Sequence, residues 1–150
     1  NLIVARSAGK AWGMAGFRIG FSASSPQINA SLHKVRPMYE IGSVSAAVFA
    51  RMLDYESEML ASVRRLEEGR KYFVSEAKKL GFFLPKTYGN FQLVKFGAAE
   101  DQVHQLLSNV AYYRKSFDEP CLRGYSRISL ASRETMEFIM RELRDGLREE

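Results

Sequence analysis

The stretch Ser7-Ala8-Gly9-Lys10-Ala11-Trp12-Gly13-Met14-Ala15-Gly16-Phe17-Arg18-Ile19-Gly20 decides the fold. Glycine at 9, 13, 16 and 20 and alanine at 8, 11 and 15 leave the backbone free to turn tightly around a single lysine. Upstream, Leu2 to Arg6 reads as a short buried strand, because the run is apolar without alternation. Downstream, Phe17, Ile19 and Phe21 alternate with Arg18, Gly20 and Ser22. That period of two predicts a strand over 17–22 with one buried face, and it aims Arg18 away from Phe17 and Ile19. Taken alone, Lys10 reads as an ordinary solvated lysine. A nucleotide-type phosphate loop is excluded: it requires Gly, four residues, then Gly-Lys-Ser/Thr, and Ala11 follows the lysine here.

The chain has 150 residues, 46% hydrophobic and 26% charged, with a formal net charge of +5. That length supports a core without metal or disulfide staples, since such a chain buries roughly 70% of its unfolded surface. The basic excess is dispersed and mixed in sign, so it predicts solvated helix faces and no nucleic-acid partner. No window reaches the ~20 apolar residues of a membrane span, and no basic-then-apolar leader opens the sequence, which predicts no membrane partner and a cytoplasmic location. Cys121 is the single cysteine and has no partner for an internal disulfide. With His33 and His104 far apart in sequence, no metal-ligand spacing exists and no metal is expected. The apolar opening Leu2-Ile3-Val4-Ala5, without an initiating methionine, predicts a strand belonging to a larger protein.

Ser25-Pro26 predicts a helix start, with Ile28, Leu32 and Val35 on one face until Pro37. Ser43 to Leu53 and a long segment from Glu56 to Leu80 read as helices, the second stopped by Gly81. Phe82–Leu84, Phe91–Phe96, Tyr112–Lys115 and Ser126–Leu130 read as strands, and Glu100–Val110 as a helix. In the last strand Arg127 and Ser129 face opposite Ile128 and Leu130. Ser132 caps a final helix whose face is Met136, Ile139, Met140, Leu143 and Leu147. These elements predict an α/β or α+β domain.

The lysine segment resembles the cofactor-lysine signature of pyridoxal-phosphate aminotransferases of fold type I. That signature carries a serine three before the lysine and an arginine eight after it, the places of Ser7 and Arg18. The resemblance continues through Leu32 to Tyr39, like the family's interdomain helix and connector. Asn90 to Phe96 is similar to the first small-domain strand, and Arg127-Ile128-Ser129 to the C-terminal strand whose arginine binds the substrate α-carboxylate. Within the family the chain looks like the histidinol-phosphate aminotransferase branch, although Met38-Tyr39-Glu40 stands where that branch has Pro-Tyr-Asn.

The resemblance implies an α/β fold: the C-terminal portion of a fold type I transferase. Two strands of a large-domain sheet precede a small α/β domain with a mainly antiparallel sheet, residues 1–37 ending the large domain and 38–150 forming the small one. It implies pyridoxal 5'-phosphate as cofactor, Lys10 forming the internal aldimine, and Ser7 and Arg18 holding the phosphate. Arg127 would take the α-carboxylate and Arg114 the phosphate of a phosphorylated substrate. The implied reaction is amino-group transfer between an amino acid, or an amino-phosphate compound, and a 2-oxo acid, in a homodimer when full length. Two alternatives stay open: a phosphoamino-acid decarboxylase of the same branch, and a non-catalytic dimerisation or binding module. Because the family's other cofactor contacts lie upstream of the lysine, the isolated chain is expected to bind cofactor weakly and not to turn over. Trp12 is expected either beside the cofactor or in the core, the histidines at the surface or half-buried, and Cys121 inert.

Overall fold

The computed structural model describes residues 1–148. Packing divides them into two compact units, Asn1–Val63 and a second that begins at Arg64, and the division falls within the longest helix.

In the first unit β1 (Ile3–Ser7) pairs antiparallel with β2 (Gly20–Ser24), Ile3 opposite Ser24 and Ser7 opposite Gly20. The expected strand over 17–22 is displaced. Ala15–Phe17 form a 3-10 turn and Arg18 adopts the left-handed conformation at φ 55° and ψ 38°, which no strand accommodates, so extension begins only at Gly20. The expectation of a buried first strand is also corrected. β1 is exposed along its length and Leu2 is 70% exposed, because among the described residues only β2 pairs with it. A two-stranded ribbon buries a face only where another layer packs on it. The apolar cover goes instead to the loop between the strands, where Ala8, Met14 and Ile19 are buried against Trp12, Val48, Phe49 and Met52.

Helix α1 (Pro26–His33) starts as its sequence dictates: the Ser25 hydroxyl accepts from the Ile28 N–H at 3.4 Å, with Pro26 in the first turn. It ends at His33 rather than running to Pro37, the chain closing with tighter Lys34-to-Ser31 and Val35-to-Leu32 bonds. Helix α2 is Ser43–Met52.

Helix α3 (Glu56–Lys79) stops at Gly81, whose φ of 80° suits a residue without a side chain. In the second unit β3 (Phe91–Val94) pairs antiparallel with β4 (Ser126–Ser129), Leu93 opposite Arg127. The strands expected at 82–84 and 112–115 shrink to one bridge each, Phe83 with Lys95 and Arg114 with Arg127. Pro85 and the irregular stretch around Pro120 limit how far each ladder extends. Helices α4 (Glu100–Leu107) and α5 (Arg133–Gly146) complete the unit, α4 ending three residues earlier than its apolar spacing suggests. Ser132 caps α5, its hydroxyl accepting from the Thr135 N–H at 3.5 Å. The core joins Phe73 and Ala77 of α3, Val94 and Ile128 of the sheet, Val103 and Leu107 of α4, and Met136, Met140 and Leu143 of α5. The alternation read in the sequence for 126–130 is realised: Ser126, Ile128 and Leu130 are buried while Arg127 and Ser129 are exposed. Gly69 brings α3 against the α5 cap, where a Cβ would overlap the Ala131 carbonyl oxygen and stand 3.0 Å from the Ser132 carbonyl carbon.

Candidate active site

Ser7 ends β1, and the loop that follows folds back on itself. The Ala8 N–H donates to Ile19 O at 3.1 Å, the Met14 N–H to Ala8 O at 3.1 Å, and the Gly13 N–H to Lys10 O at 3.0 Å. Lys10 therefore heads a tight turn that Gly13 closes at φ 66°, and its side chain is exposed. Two further glycines sit where a side chain would crowd the loop. A Cβ at Gly20 would stand 2.9 Å from Arg6 O, and one at Gly9 would stand 3.2 Å from Ser7 Oγ and 3.3 Å from Ala15 Cα. The Ser7 hydroxyl oxygen accepts the Gly9 N–H at 3.1 Å, which leaves its own hydrogen free to donate outward.

A cavity of about 270 Å³ opens here, lined in part by Ser7, Gly9, Lys10, Met14, Arg18 and Gly20. The three residues singled out in this segment, Ser7, Lys10 and Arg18, thus share one lining. Arg18 is the only residue other than glycine at positive φ among the described residues. Its Nη1 donates to Ala15 O at 3.4 Å, and no carboxylate among the described residues lies within ion-pair distance of it or of Lys10. A hydroxyl donor, a guanidinium and a primary amine around one concavity fit a ligand bearing both a phosphate and an aldehyde, so the donor set suits pyridoxal phosphate. Trp12 is outside this lining and packs edge-on against Phe49, ring centroids 6.0 Å apart, which resolves its two expected roles in favour of the core.

A second concavity of about 530 Å³ shares Arg18 and Gly20 and adds His33, Arg36 and Glu40. Arg36 is paired with Glu40 at 2.9 Å. Sequence reading missed this group, because nothing in Lys34-Val35-Arg36 distinguishes it from a solvated helix end.

In the second unit Arg127 and Arg114 are direct cross-strand partners, the Arg127 N–H donating to Arg114 O at 2.8 Å and the Arg114 N–H to Arg127 O at 3.2 Å. Opposed residues of an antiparallel pair project on the same face, so two guanidinium groups share one exposed surface. Arg127 lies over the Phe91 ring at 5.7 Å from its centroid, and no carboxylate among the described residues pairs with it. Arg114 stacks on Phe117 at 4.1 Å, donates from Nε to Ser116 O at 3.1 Å, and stands 3.9 Å from Glu119.

On the core side of the same segment, Tyr113 Oη meets His104 Nδ1 at 2.5 Å, and His104 Nε2 lies 3.4 Å from Glu100. Burial, with the Glu100 charge behind it, pushes the Tyr113 phenol up to about 12. His104 is half-buried, Cys121 is exposed, and the described residues contain no cluster of potential metal ligands. Among them no helix is long and apolar enough to cross a membrane.

A β-hairpin presenting a lysine loop, with a small antiparallel sheet backed by helices, matches part of the fold of fold type I pyridoxal-phosphate enzymes. Solved structures bear this out. The histidinol-phosphate aminotransferase of Sinorhizobium meliloti, solved in complex with pyridoxal-5'-phosphate, superposes with a TM-score of 0.78 at 22% identity, over 99% of this chain and 42% of that one. The histidinol-phosphate aminotransferase of Clostridium acetobutylicum gives 0.81 at 20% identity, over 96% and 45%. The family model for aminotransferase class I and II matches residues 1–143, and the chain belongs to that family. Among curated relatives, histidinol-phosphate aminotransferases of Citrifermentans bemidjiense and Geobacter sulfurreducens are 32% and 30% identical over 149 residues. Each match covers 97% of this chain, which spans 42% of the relative's length.

Proposed function

We propose that this chain carries the cofactor-lysine segment and small domain of a pyridoxal-phosphate-dependent aminotransferase that moves an amino group between an amino acid, or an amino-phosphate compound, and a 2-oxo acid. The observation that carries the reading is the single cavity lined by Ser7, Lys10 and Arg18, with Arg18 held in a conformation that costs energy. In this reading residues 1–37 belong to a cofactor-binding large domain and residues 38–150 to the small domain, within a cytoplasmic homodimer.

When bound, pyridoxal phosphate supplies an electron-withdrawing ring that stabilises charge developing at the substrate α-carbon and carries the amino group between half-reactions. The chain's own groups do the rest. Ser7 donates its free hydroxyl hydrogen to a phosphate oxygen, and Arg18 adds charge-assisted bonds to the same group. The Lys10 amine, fixed by its turn, would hold the cofactor through its aldehyde and would act as the base that takes the proton from the substrate α-carbon. Arg127 orients the α-carboxylate through its planar fork, and Arg114, on the same face, takes a second anionic group of the substrate.

Reductive trapping tests the assignment. The chain is incubated with excess pyridoxal phosphate, reduced with borohydride, digested and mapped by mass spectrometry. Weak binding is expected, but the adduct should concentrate on Lys10 and vanish in Lys10→Ala. Labelling spread evenly over the exposed lysines would refute the site.

A further inference from the structure

A third concavity, of about 710 Å³, runs between α3 and the extended segment after Phe83. It lies entirely in the second unit and plays no part in the proposed chemistry. Its helical wall carries Lys71 and Lys78, seven residues and so about 10 Å apart along the axis. Its other wall carries Lys86, whose ammonium sits 5.0 Å from the Tyr88 ring centroid. None of the three lysines has a carboxylate within ion-pair distance among the described residues. The acidic residue of the lining, Glu67, is already neutralised: Arg70 Nε holds it at 2.9 Å, while the rest of that guanidinium binds Thr87 O at 3.0 Å, Thr87 Oγ1 at 3.0 Å and Gly89 O. The groove is thus cationic and lacks its counter-charge.

The second observation is independent of charge. Phe83 exchanges both main-chain bonds with Lys95, at 3.1 and 2.9 Å, and Pro85 O accepts from Gln92 Nε2 at 2.6 Å. These groups point toward β3. Among the described residues the peptide groups of Leu84 and Lys86 take no main-chain partner. The segment is thus an extended run with main-chain groups of Leu84 and Lys86 left unpaired, and it lines the cationic groove. Pro85 offers no N–H, so the free main-chain donors and acceptors are those of Leu84 and Lys86.

The geometry points to a docking groove for an extended acidic peptide segment of a partner protein, added as a strand along Leu84–Lys86 with its carboxylates on Lys71, Lys78 and Lys86. Main-chain bonds supply the docking and alternate side chains the selectivity. Acidic residues at every second position repeat at about 6.6 Å on one face, a spacing that flexible lysines 10 Å apart reach. A second copy of the same edge is disfavoured, because it would bring lysine-bearing walls together.

Fluorescence anisotropy on the whole chain tests this with labelled hexapeptides. Alternating Glu and Val should bind, and its Gln/Val counterpart should bind at least tenfold more weakly. Lys71→Glu with Lys78→Glu should weaken the acidic peptide at least tenfold, and Lys71→Gln with Lys78→Gln at least threefold. The lysines are exposed, so circular dichroism should match the parent chain. N-methylation of the peptide's edge-facing amides should cost at least tenfold. No binding of the acidic peptide overturns the proposal. So does equal binding of its N-methylated form, which would mean charge attraction alone, or tighter binding of inorganic polyphosphate at the same lysines.

Discussion

Replacing Arg18 by glycine and, in parallel, by alanine separates strain from function at the proposed cofactor site. Arg18 sits at φ 55° and ψ 38°, and a residue with a Cβ pays roughly 1–2 kcal/mol in that region. Glycine removes this cost but gains conformational freedom in the unfolded chain, worth about 0.5–1 kcal/mol against alanine. The net advantage of Arg18→Gly over Arg18→Ala is therefore about 0.5–1 kcal/mol. The Ala8 N–H, bonded to Ile19 O at 3.1 Å across the base of the loop, reports on it. Its hydrogen exchange should be roughly 2- to 5-fold slower in the glycine variant, on the rule that 1.4 kcal/mol is tenfold. Cofactor capture should fall in both variants. Both variants lose the guanidinium, and a charged hydrogen bond is worth about 1.5–3 kcal/mol, so borohydride trapping on Lys10 should fall at least tenfold in each. A glycine variant that exchanges as fast as the alanine variant would refute the strain. One that traps cofactor as well as the parent chain would remove Arg18 from the phosphate.

Two further outcomes concern the second unit. Gly69→Ala drives a methyl into the Ala131 carbonyl; overpacking of about 1–3 kcal/mol, here at its upper end, against a helix-propensity gain of about 1, should leave the chain about 2 kcal/mol less stable in urea denaturation, and unchanged stability would contradict the packing. The Tyr113 phenol, pushed up to about 12 from its ordinary 10, holds its proton more tightly folded than unfolded; its stabilisation is complete below pH 10 and is lost as pH climbs through 12. Solvent screening of this half-buried ring reduces the loss to about 1 kcal/mol, and Tyr113→Phe should lack it. Parallel pH profiles for parent and variant between pH 9 and 12 would rule this out.

What the sequence made legible was local. Ser7, Lys10 and Arg18, singled out by the resemblance, lie within twelve positions of one another and line one cavity. Ser25 and Ser132 cap helices through bonds to residues three further on. The alternation around Arg127 needed only a buried face, which β4 has. What was illegible depended on distant groups or on backbone geometry that side-chain pattern does not record. The Phe17-Ile19-Phe21 alternation looks like a strand, but the turn at Ala15–Phe17 and the left-handed Arg18 spend two of its members before the strand begins. Burial of β1 required a covering layer that an apolar run cannot announce. The Arg70 strut to Thr87, 17 residues away, and the His104–Tyr113 contact join side chains whose types carried no mark of pairing.

The paired arginines of the sheet show how such a mark is read once geometry exists. Like charges directly opposite one another destabilise an antiparallel ladder, yet Arg114 and Arg127 occupy that relation with both main-chain bonds made. The aromatic rings of Phe117 and Phe91 beneath them offset part of the repulsion while leaving the guanidinium forks exposed. Carboxylates from the protein would relieve it more fully, but the one nearby, Glu119, stands 3.9 Å from Arg114 and is too far for a hydrogen bond. An anion bound between the forks would turn the repulsion into two attractions. At Arg18 a left-handed backbone carries a guanidinium with no carboxylate within ion-pair distance among the described residues. In the proposed reading an anionic ligand would supply the counter-charge at both places, a phosphate at Arg18 and a carboxylate or phosphate between Arg114 and Arg127.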